Sequence, residues 1–236
     1  MLKTTQIQKA KDFLALHHDP KLLVLPNIWD PGGARLLEHL GYPAVATASA
    51  AVAYSLGHDD GERITFDVMV DVIQRIASAV SVPVSADIEG GYGEDPLDVF
   101  NNVRRIVQAG AVGINIEDSF SEGGPLRDAS SQCERIRQAR NAARGEKVPI
   151  VINARMDVFI GSDTATDDQM SEAVSRARAY LDAGADCIYP ITLGRIKALK
   201  ELLSQIRAPI NVYANAKAAP MRDLEKAGIS RLSLGP

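Results

Sequence analysis

Gly110-Ala111-Val112-Gly113-Ile114-Asn115-Ile116-Glu117-Asp118 contains the unit from which the chain is built. A glycine closes a helix, because the residue after a helix end often takes a left-handed conformation that costs glycine little. A short apolar run follows at once and ends on two acids. Outward from this stretch the same alternation recurs. Apolar runs at 22–26, 44–48, 84–87, 112–117, 150–154, 187–190, 210–213 and 231–234 are separated by amphipathic helical stretches. Such runs suit parallel strands covered by helices. Eight β-α units in succession predict an α/β fold, a (β/α)8 TIM barrel formed as one domain over residues 1–236. The rival, an open doubly wound sheet, favours Gly-x-Gly-x-x-Gly after its first strand. Here Pro26-Asn27-Ile28-Trp29-Asp30 stands in that place, and Gly90-Gly91-Tyr92-Gly93 lacks the lysine of a phosphate loop.

The punctuation agrees with the barrel. Asp30-Pro31 and Asp95-Pro96 each offer a capping side chain followed by proline at the first helical position. Gly41, Gly110, Gly184 and Gly228 each stop a helix ahead of a strand. An extra N-terminal helix over 5–17 is expected to close a barrel end or to pack on a partner. A barrel has a helix after its eighth strand; the sequence ends at Pro236, so that terminal helix is expected to be missing or supplied from elsewhere.

Composition narrows the function classes. The 236 residues are 46% hydrophobic and 24% charged, which excludes disorder and disulfide-dense miniproteins. Net charge is −4 with no basic stripe, so neither nucleic acid nor membrane is an expected partner. Lys3, Lys9, Lys11 and Asp12 interrupt the first 18 residues, so this stretch is not expected to act as a signal peptide. Cys133 and Cys187 read as free thiols, and the expected compartment is the cytoplasm.

In a TIM barrel, chemistry sits at the C-terminal ends of the strands. Asp87 and Glu89 are two apart and point the same way if the third strand persists. Glu117 adds a third acid from the fourth strand. Carboxylates at one mouth repel unless a cation cancels their charge. All-oxygen donors suit Mg²⁺, with Mn²⁺ possible, whereas zinc prefers His or Cys. The plainer alternative is an ion-pair network with Arg155, the cation ending the fifth strand. Its guanidinium can hold a carboxylate or a developing enolate oxygen, and can equally pair with Glu117 or Asp157. Ser49, Ala50 and Ala51 form a small-residue turn that lets backbone N–H groups approach an anion. Asn215, beyond the seventh strand, joins the substrate-binding candidates. Residues 119–128 read as a mobile lid. His17, His18 and His39 read as solvated, as does His58 in a rim loop. Lys217 reads as a surface lysine and Trp29 as a packing residue.

Five segments together resemble the isocitrate lyase/phosphoenolpyruvate mutase superfamily. They are Asn27-Ile28-Trp29-Asp30-Pro31-Gly32-Gly33-Ala34-Arg35-Leu36, Ser55-Leu56-Gly57-His58-Asp59-Asp60-Gly61-Glu62, Asp87-Ile88-Glu89-Gly90-Gly91-Tyr92-Gly93, Gly113-Ile114-Asn115-Ile116-Glu117-Asp118 and Asn153-Ala154-Arg155-Met156-Asp157. The resemblance implies a Mg²⁺-dependent barrel that makes or breaks a bond beside an enolate of pyruvate. It makes Asp87 a metal ligand, with Glu89, Glu117 and Asp60 acting through the metal's water shell or as further ligands. It assigns the Ser49, Ala50 and Ala51 backbone to the substrate carboxylate and Arg155 to the substrate oxygen. It also implies a homo-oligomer, a dimer or tetramer. The superfamily's lyases carry Lys-Cys-Gly-His in the loop after the fourth strand, where this chain has Ser121-Glu122-Gly123-Gly124-Pro125. Decarboxylation needs no acid or base in that loop, because CO₂ leaves without prior removal of a proton from carbon. The expected activity is therefore a metal-dependent carbon–carbon lyase, namely oxaloacetate decarboxylation, with Arg155, Glu117 and Asp60 as the catalytic set. Two alternatives stand beside it: cleavage of an isocitrate, methylisocitrate or dimethylmalate type of substrate, with Glu122 as acid/base, and an α-oxo-acid-binding protein without turnover.

Overall fold

A computed structural model describes residues 2–121, 123–162, 164–216 and 218–235. Eight strands alternate with helices: β1 Leu23–Ile28, β2 Val45–Thr47, β3 Val84–Asp87, β4 Gly113–Glu117, β5 Val151–Met156, β6 Cys187–Pro190, β7 Asn211–Tyr213 and β8 Arg231–Leu234. The helices are α1 Leu2–His17, α2 Pro31–His39, α3 Ser49–Ser55, α4 Phe66–Ala79, α5 Pro96–Gln108, α6 Ala129–Glu146, α7 Asp167–Ala183, α8 Ile196–Ile206 and α9 Met221–Lys226. Every strand pairing is parallel, and the order runs β6-β5-β4-β3-β2-β1-β8-β7. A single parallel bridge between Ile188 and Ile210 brings β6 to β7 and nearly closes the ring. This is the expected (β/α)8 TIM barrel.

Local chemistry sets the element ends. Asp30 caps α2 through Gly33 N, and Asp95 caps α5 through Leu97 N, each with proline at the first turn. Gly41, Gly110, Gly184 and Gly228 all have positive φ at helix ends. Two strands run further than expected. β1 continues through Asn27 to Ile28 rather than stopping at Pro26, and β5 carries Arg155 and Met156. Pro26 is tolerated on β1 although it can donate no ladder hydrogen bond.

Strands β4, β5 and β8 alternate rather than running apolar throughout. Ile114, Ile116, Ile152, Ala154 and Leu232 join the main apolar cluster with the helices. Between them in sequence stand Asn115, Asn153, Arg231 and Ser233, which bond to one another inside the ring. The barrel interior is therefore a hydrogen-bonded polar layer inside an apolar sleeve.

The N-terminal helix closes the foot of the barrel. Phe13 on α1 is fully buried, and a Cβ at Gly113 would lie 2.6 Å from its Cε1. Gln6 Nε2 donates to the Val107 and Ala111 carbonyls, and Lys9 Nζ donates to Val80 O. His17 was expected to be solvated and is instead 1% exposed. It lies one helical turn after Phe13, its Nδ1 bonds Phe13 O, and its ring meets Phe13 edge-on. His18, His39 and His58 are exposed as expected. Trp29, expected to pack, is 47% exposed beyond β1. Cys133 and Cys187 are buried free thiols. Among the described residues, no helix is long and apolar enough to cross a membrane.

Candidate active site

A cavity of about 310 Å³ opens at the C-terminal ends of the strands, lined by Asn27, Ser49, Ala50, Asp60, Asp87, Asn115, Arg155, Tyr189, Tyr213 and Ser233 among others. Its lining comes from β1, β3, β4, β5, β6, β7 and β8, from α3 and the segment after β2, and from the loops after β5, β6 and β8. A larger groove of about 660 Å³ lies at the opposite end, between α1, the start of β1 and the end of α2. It carries Asp19 and Lys21 but no convergence of polar groups from several strands. The strand-end cavity is the one with chemistry in it.

Arg155 is the best-fixed cation there. Its Nη1 lies 2.8 Å from Glu117 Oε2, and its Nε and Nη2 donate to Asp157 Oδ1 and Oδ2 at 2.7 and 3.1 Å. Both ion pairs anticipated as alternatives form at once. They use three of the five guanidinium N–H groups and lock its plane. Asp157 in turn accepts from Ser119 Oγ at 2.6 Å, and its backbone N–H donates to Asp118 Oδ1. Asp118 is fully buried, and its Oδ2 accepts from Tyr180 Oη at 2.8 Å and Arg176 Nη1 at 3.3 Å. The loop after β4 is thus anchored by α7 at the point where it leaves the strand.

Asp87 ends β3 and faces the cavity. Its Oδ2 accepts from Ser49 N at 3.3 Å and Ser49 Oγ at 3.1 Å. Asp60 also lines the cavity, and its Oδ1 is buried with no hydrogen-bond partner. Glu89 departs from the expected geometry. The strand stops at Asp87, and Glu89 takes φ 50°. Its carboxylate turns to Gly61 N, Glu62 N and Tyr92 Oη at 2.9, 2.5 and 2.9 Å, so it holds the loop that carries Asp60. Glu89 and Glu117 stand behind the cavity wall and Asp87 and Asp60 on it.

Burial, and then neighbouring negative charge, raises the proton affinity of Asp87, Glu89 and Glu117. Burial pushes Glu89 up to about 7, aided by the charges of Asp60 and Asp87. Burial also raises Glu117, with Asp157, Asp87 and Glu89 adding to the effect and Arg155 opposing it. Asp87 is raised by burial and by Asp60, against Arg155. Arg155 stays charged, because burial alone disfavours its cation while Glu117, Asp157 and Asp87 favour it.

Ser49, Ala50 and Ala51 form the first turn of α3 rather than a loop turn, and Ala48 caps that helix without a side-chain bond. Ser49 and Ala50 line the cavity, whereas Ala51 is buried outside its lining. Asn215 does not line it; its Oδ1 accepts from Ala218 N in the loop after β7. Glu122, Lys217 and Pro236 lie outside the described residues. Sequence reading passed over Asn27, Tyr189, Tyr213 and Ser233 as site residues. Their signal was a polar or phenolic side chain near the end of an apolar strand.

Residues 13–236 match the phosphoenolpyruvate phosphomutase family. A candidate phosphonomutase of known structure from Burkholderia cenocepacia J2315 superposes with a TM-score of 0.93, at 38% identity over 97% of this chain and 93% of that one. A 2-methylisocitrate lyase from Aeropyrum pernix is 30% identical over 80% of this chain, which spans 60% of that protein's length. Oxaloacetate decarboxylase 2 from Pseudomonas fluorescens is 26% identical over 86% of this chain and 70% of its own. The chain belongs to the phosphoenolpyruvate phosphomutase family, within the isocitrate lyase/phosphoenolpyruvate mutase superfamily.

Proposed function

We propose that the protein is a divalent-metal-dependent carbon–carbon lyase that decarboxylates oxaloacetate or a close α-oxo dicarboxylate. The observation that carries the reading is a clamped Arg155 facing Asp87 and Asp60 in one strand-end cavity. The relatives named as lyases and decarboxylases point the same way.

The residues fit a hard cation. The donors are carboxylates without His or Cys, they repel one another, and Asp60 Oδ1 is a buried acceptor with no partner. Among the described residues, no group of three or more His, Cys, Asp or Glu could hold a metal alone. Mg²⁺ is usually held by one or two carboxylates and keeps several waters, so Asp87 and Asp60 would suffice for it. Asp87 would hold the ion directly, with Asp60 beside it, while Glu89 and Glu117 would add negative charge from behind the wall. Such an ion, Mg²⁺ or Mn²⁺, supplies Lewis-acid stabilisation of negative charge developing on oxygen.

The chain's own groups do the rest. The N–H groups of Arg155 not taken by Glu117 and Asp157 donate to the substrate's oxo oxygen. As the bond to the departing carboxylate breaks, its electron pair moves into the enolate and the fixed guanidinium meets the new charge without reorganising. Ser49 and Ala50 line the side of the cavity where the carboxylate next to the oxo group would rest. The enolate then takes a proton from solvent water at carbon, releasing hydroxide to the bulk, to give pyruvate.

The 2-methylisocitrate lyase among the relatives favours a second reading, cleavage of a substituted malate to two acids. Product analysis separates the two. With Mg²⁺ and oxaloacetate, the first predicts pyruvate and CO₂ above the metal-only background. Turnover confined to substituted malates, with a second oxo acid released, replaces it with the second. Binding of either substrate without product leaves a receptor for α-oxo acids.

A further inference from the structure

Arg231 on β8 is 0% exposed, yet among the described residues no carboxylate lies within ion-pair distance of it. The other deeply placed arginines are compensated. Arg155 and Arg176 meet carboxylates, and Arg135 meets the carbonyls of Gly90, Gly93 and Glu94. A buried charge without a counter-charge is costly, so its neighbours show what it serves.

Those neighbours form the cavity floor. Arg231 Nε donates to Ser233 Oγ at 3.2 Å, and Nη2 reaches across the barrel to Asn115 Oδ1 at 3.3 Å. Ser233 and Asn115 both line the cavity. Asn153 Nδ2 also donates to Asn115 Oδ1, at 2.7 Å. Two donors therefore claim the carbonyl end of the Asn115 amide and leave its NH₂ as the end it offers a ligand. Nη1 of Arg231 has no partner and is sealed from solvent. Cys187 and Tyr189 beside it are neutral, because burial raises both above their ordinary values. Burial disfavours the Arg231 cation, and Asp87, on the cavity wall beyond ion-pair distance, is the carboxylate whose charge supports it.

We propose that Arg231 is a positioning residue that determines specificity: its sealed charge, which no carboxylate contacts among the described residues, fixes the Asn115 amide and makes the floor a receiver for an anionic group. A ligand would then present a carboxylate to the floor as well as an oxo acid to Arg155, and dianions would be preferred over monoanions of the same size. This rests on the lyase reading only for placing the ligand in this cavity.

The test is titration of malonate and of its monomethyl ester into the Mg²⁺-supplemented protein, at a pH where both malonate carboxyls are ionised. Asn211→Asp is the key variant. Asn211 is fully buried outside the cavity lining, and its Oδ1 accepts from Ser233 Oγ, one hydroxyl away from Arg231 Nε. The new carboxylate would neutralise the guanidinium while preserving shape. Wild type is expected to bind malonate at least about tenfold more tightly than the monoester, on the scale of one desolvated charge contact. Asn211→Asp is expected to weaken malonate about tenfold, to leave the monoester within about threefold, and to melt no lower than wild type. Arg231→Gln, which keeps a donor but not the charge, is expected to lose the same preference if Asn211→Asp does not fold. Wild type without preference, variants that retain it, or variants that lose both ligands equally would each overturn the proposal. Turnover of oxaloacetate together with an absent preference would sink the role of Arg231 alone; a preference without turnover would sink the lyase reading alone.

Discussion

At Arg155 the geometry makes lysine a poor substitute. An ammonium cannot hold Asp157 through two parallel bonds while also meeting Glu117 and a substrate oxygen. Arg155→Lys is expected to lower kcat about 10²-fold with a smaller change in KM, as steady-state kinetics would show. His17 offers a separate residue-scale prediction. Its pKa is held down at about 3, first by burial and then by the Arg231 charge. In the unfolded chain it titrates near 6.5. Between those values the unfolded state binds more protons, so stability is complete above about pH 6.5 and falls as pH drops towards 3. At pH 5 the loss is about 2 kcal/mol. His17→Gln is expected to lack that share of the loss when urea midpoints are compared at pH 7 and pH 5; an equal loss in both proteins would refute the assignment.

At the scale of elements, eight apolar runs mark the eight strands, and glycine stops at Gly41, Gly110, Gly184 and Gly228 mark the starts of four of them, because each C′ glycine and N-cap acts locally. The polar half of β4, β5 and β8, with Asn115, Asn153, Arg231 and Ser233 at every second position, was read as part of apolar runs. Its meaning was not legible, because only barrel closure brings Arg231 on β8 to Asn115 on β4. Glu89 was misplaced for a similar reason. Spacing of two implies a shared face only while the strand lasts, and the backbone turns left-handed at Glu89 itself. His17 was misread because nothing within α1 reports that its Phe13 face plugs the foot of the barrel. Phe13→Ala is expected to cost about 3–5 kcal/mol in chemical denaturation, the range for truncating a buried aromatic. Asp118→Ala strips Arg176 and Tyr180 of their buried acceptor and is expected to cost a similar amount. Its effect should extend to faster proteolysis in the 119–128 loop, which Asp118 ties to α7.

For the whole molecule, apolar side chains remain on the surface. Leu36 and Leu40, at the end of α2, are 58% and 63% exposed. We propose that the protein assembles as a homo-oligomer through such faces, which sedimentation velocity would show as a species larger than the 25.4 kDa chain. A monomer at all concentrations would refute it. The barrel, the acids at its mouth and Arg155 were legible because chemistry on this architecture clusters at strand ends. The division between wall and backing, with Asp87 and Asp60 in front of Glu89 and Glu117, needed the folded loops.

The central claim is that this cavity decarboxylates an α-oxo dicarboxylate with a cation held at Asp87. Its most direct test compares pyruvate formation from oxaloacetate by wild type and by Asp87→Ala, with Mg²⁺ and after subtraction of the metal-only rate. The account predicts enzyme turnover well above that background and a fall of about 10²-fold or more in the variant. A wild-type rate equal to the background, or full activity in Asp87→Ala, would contradict it.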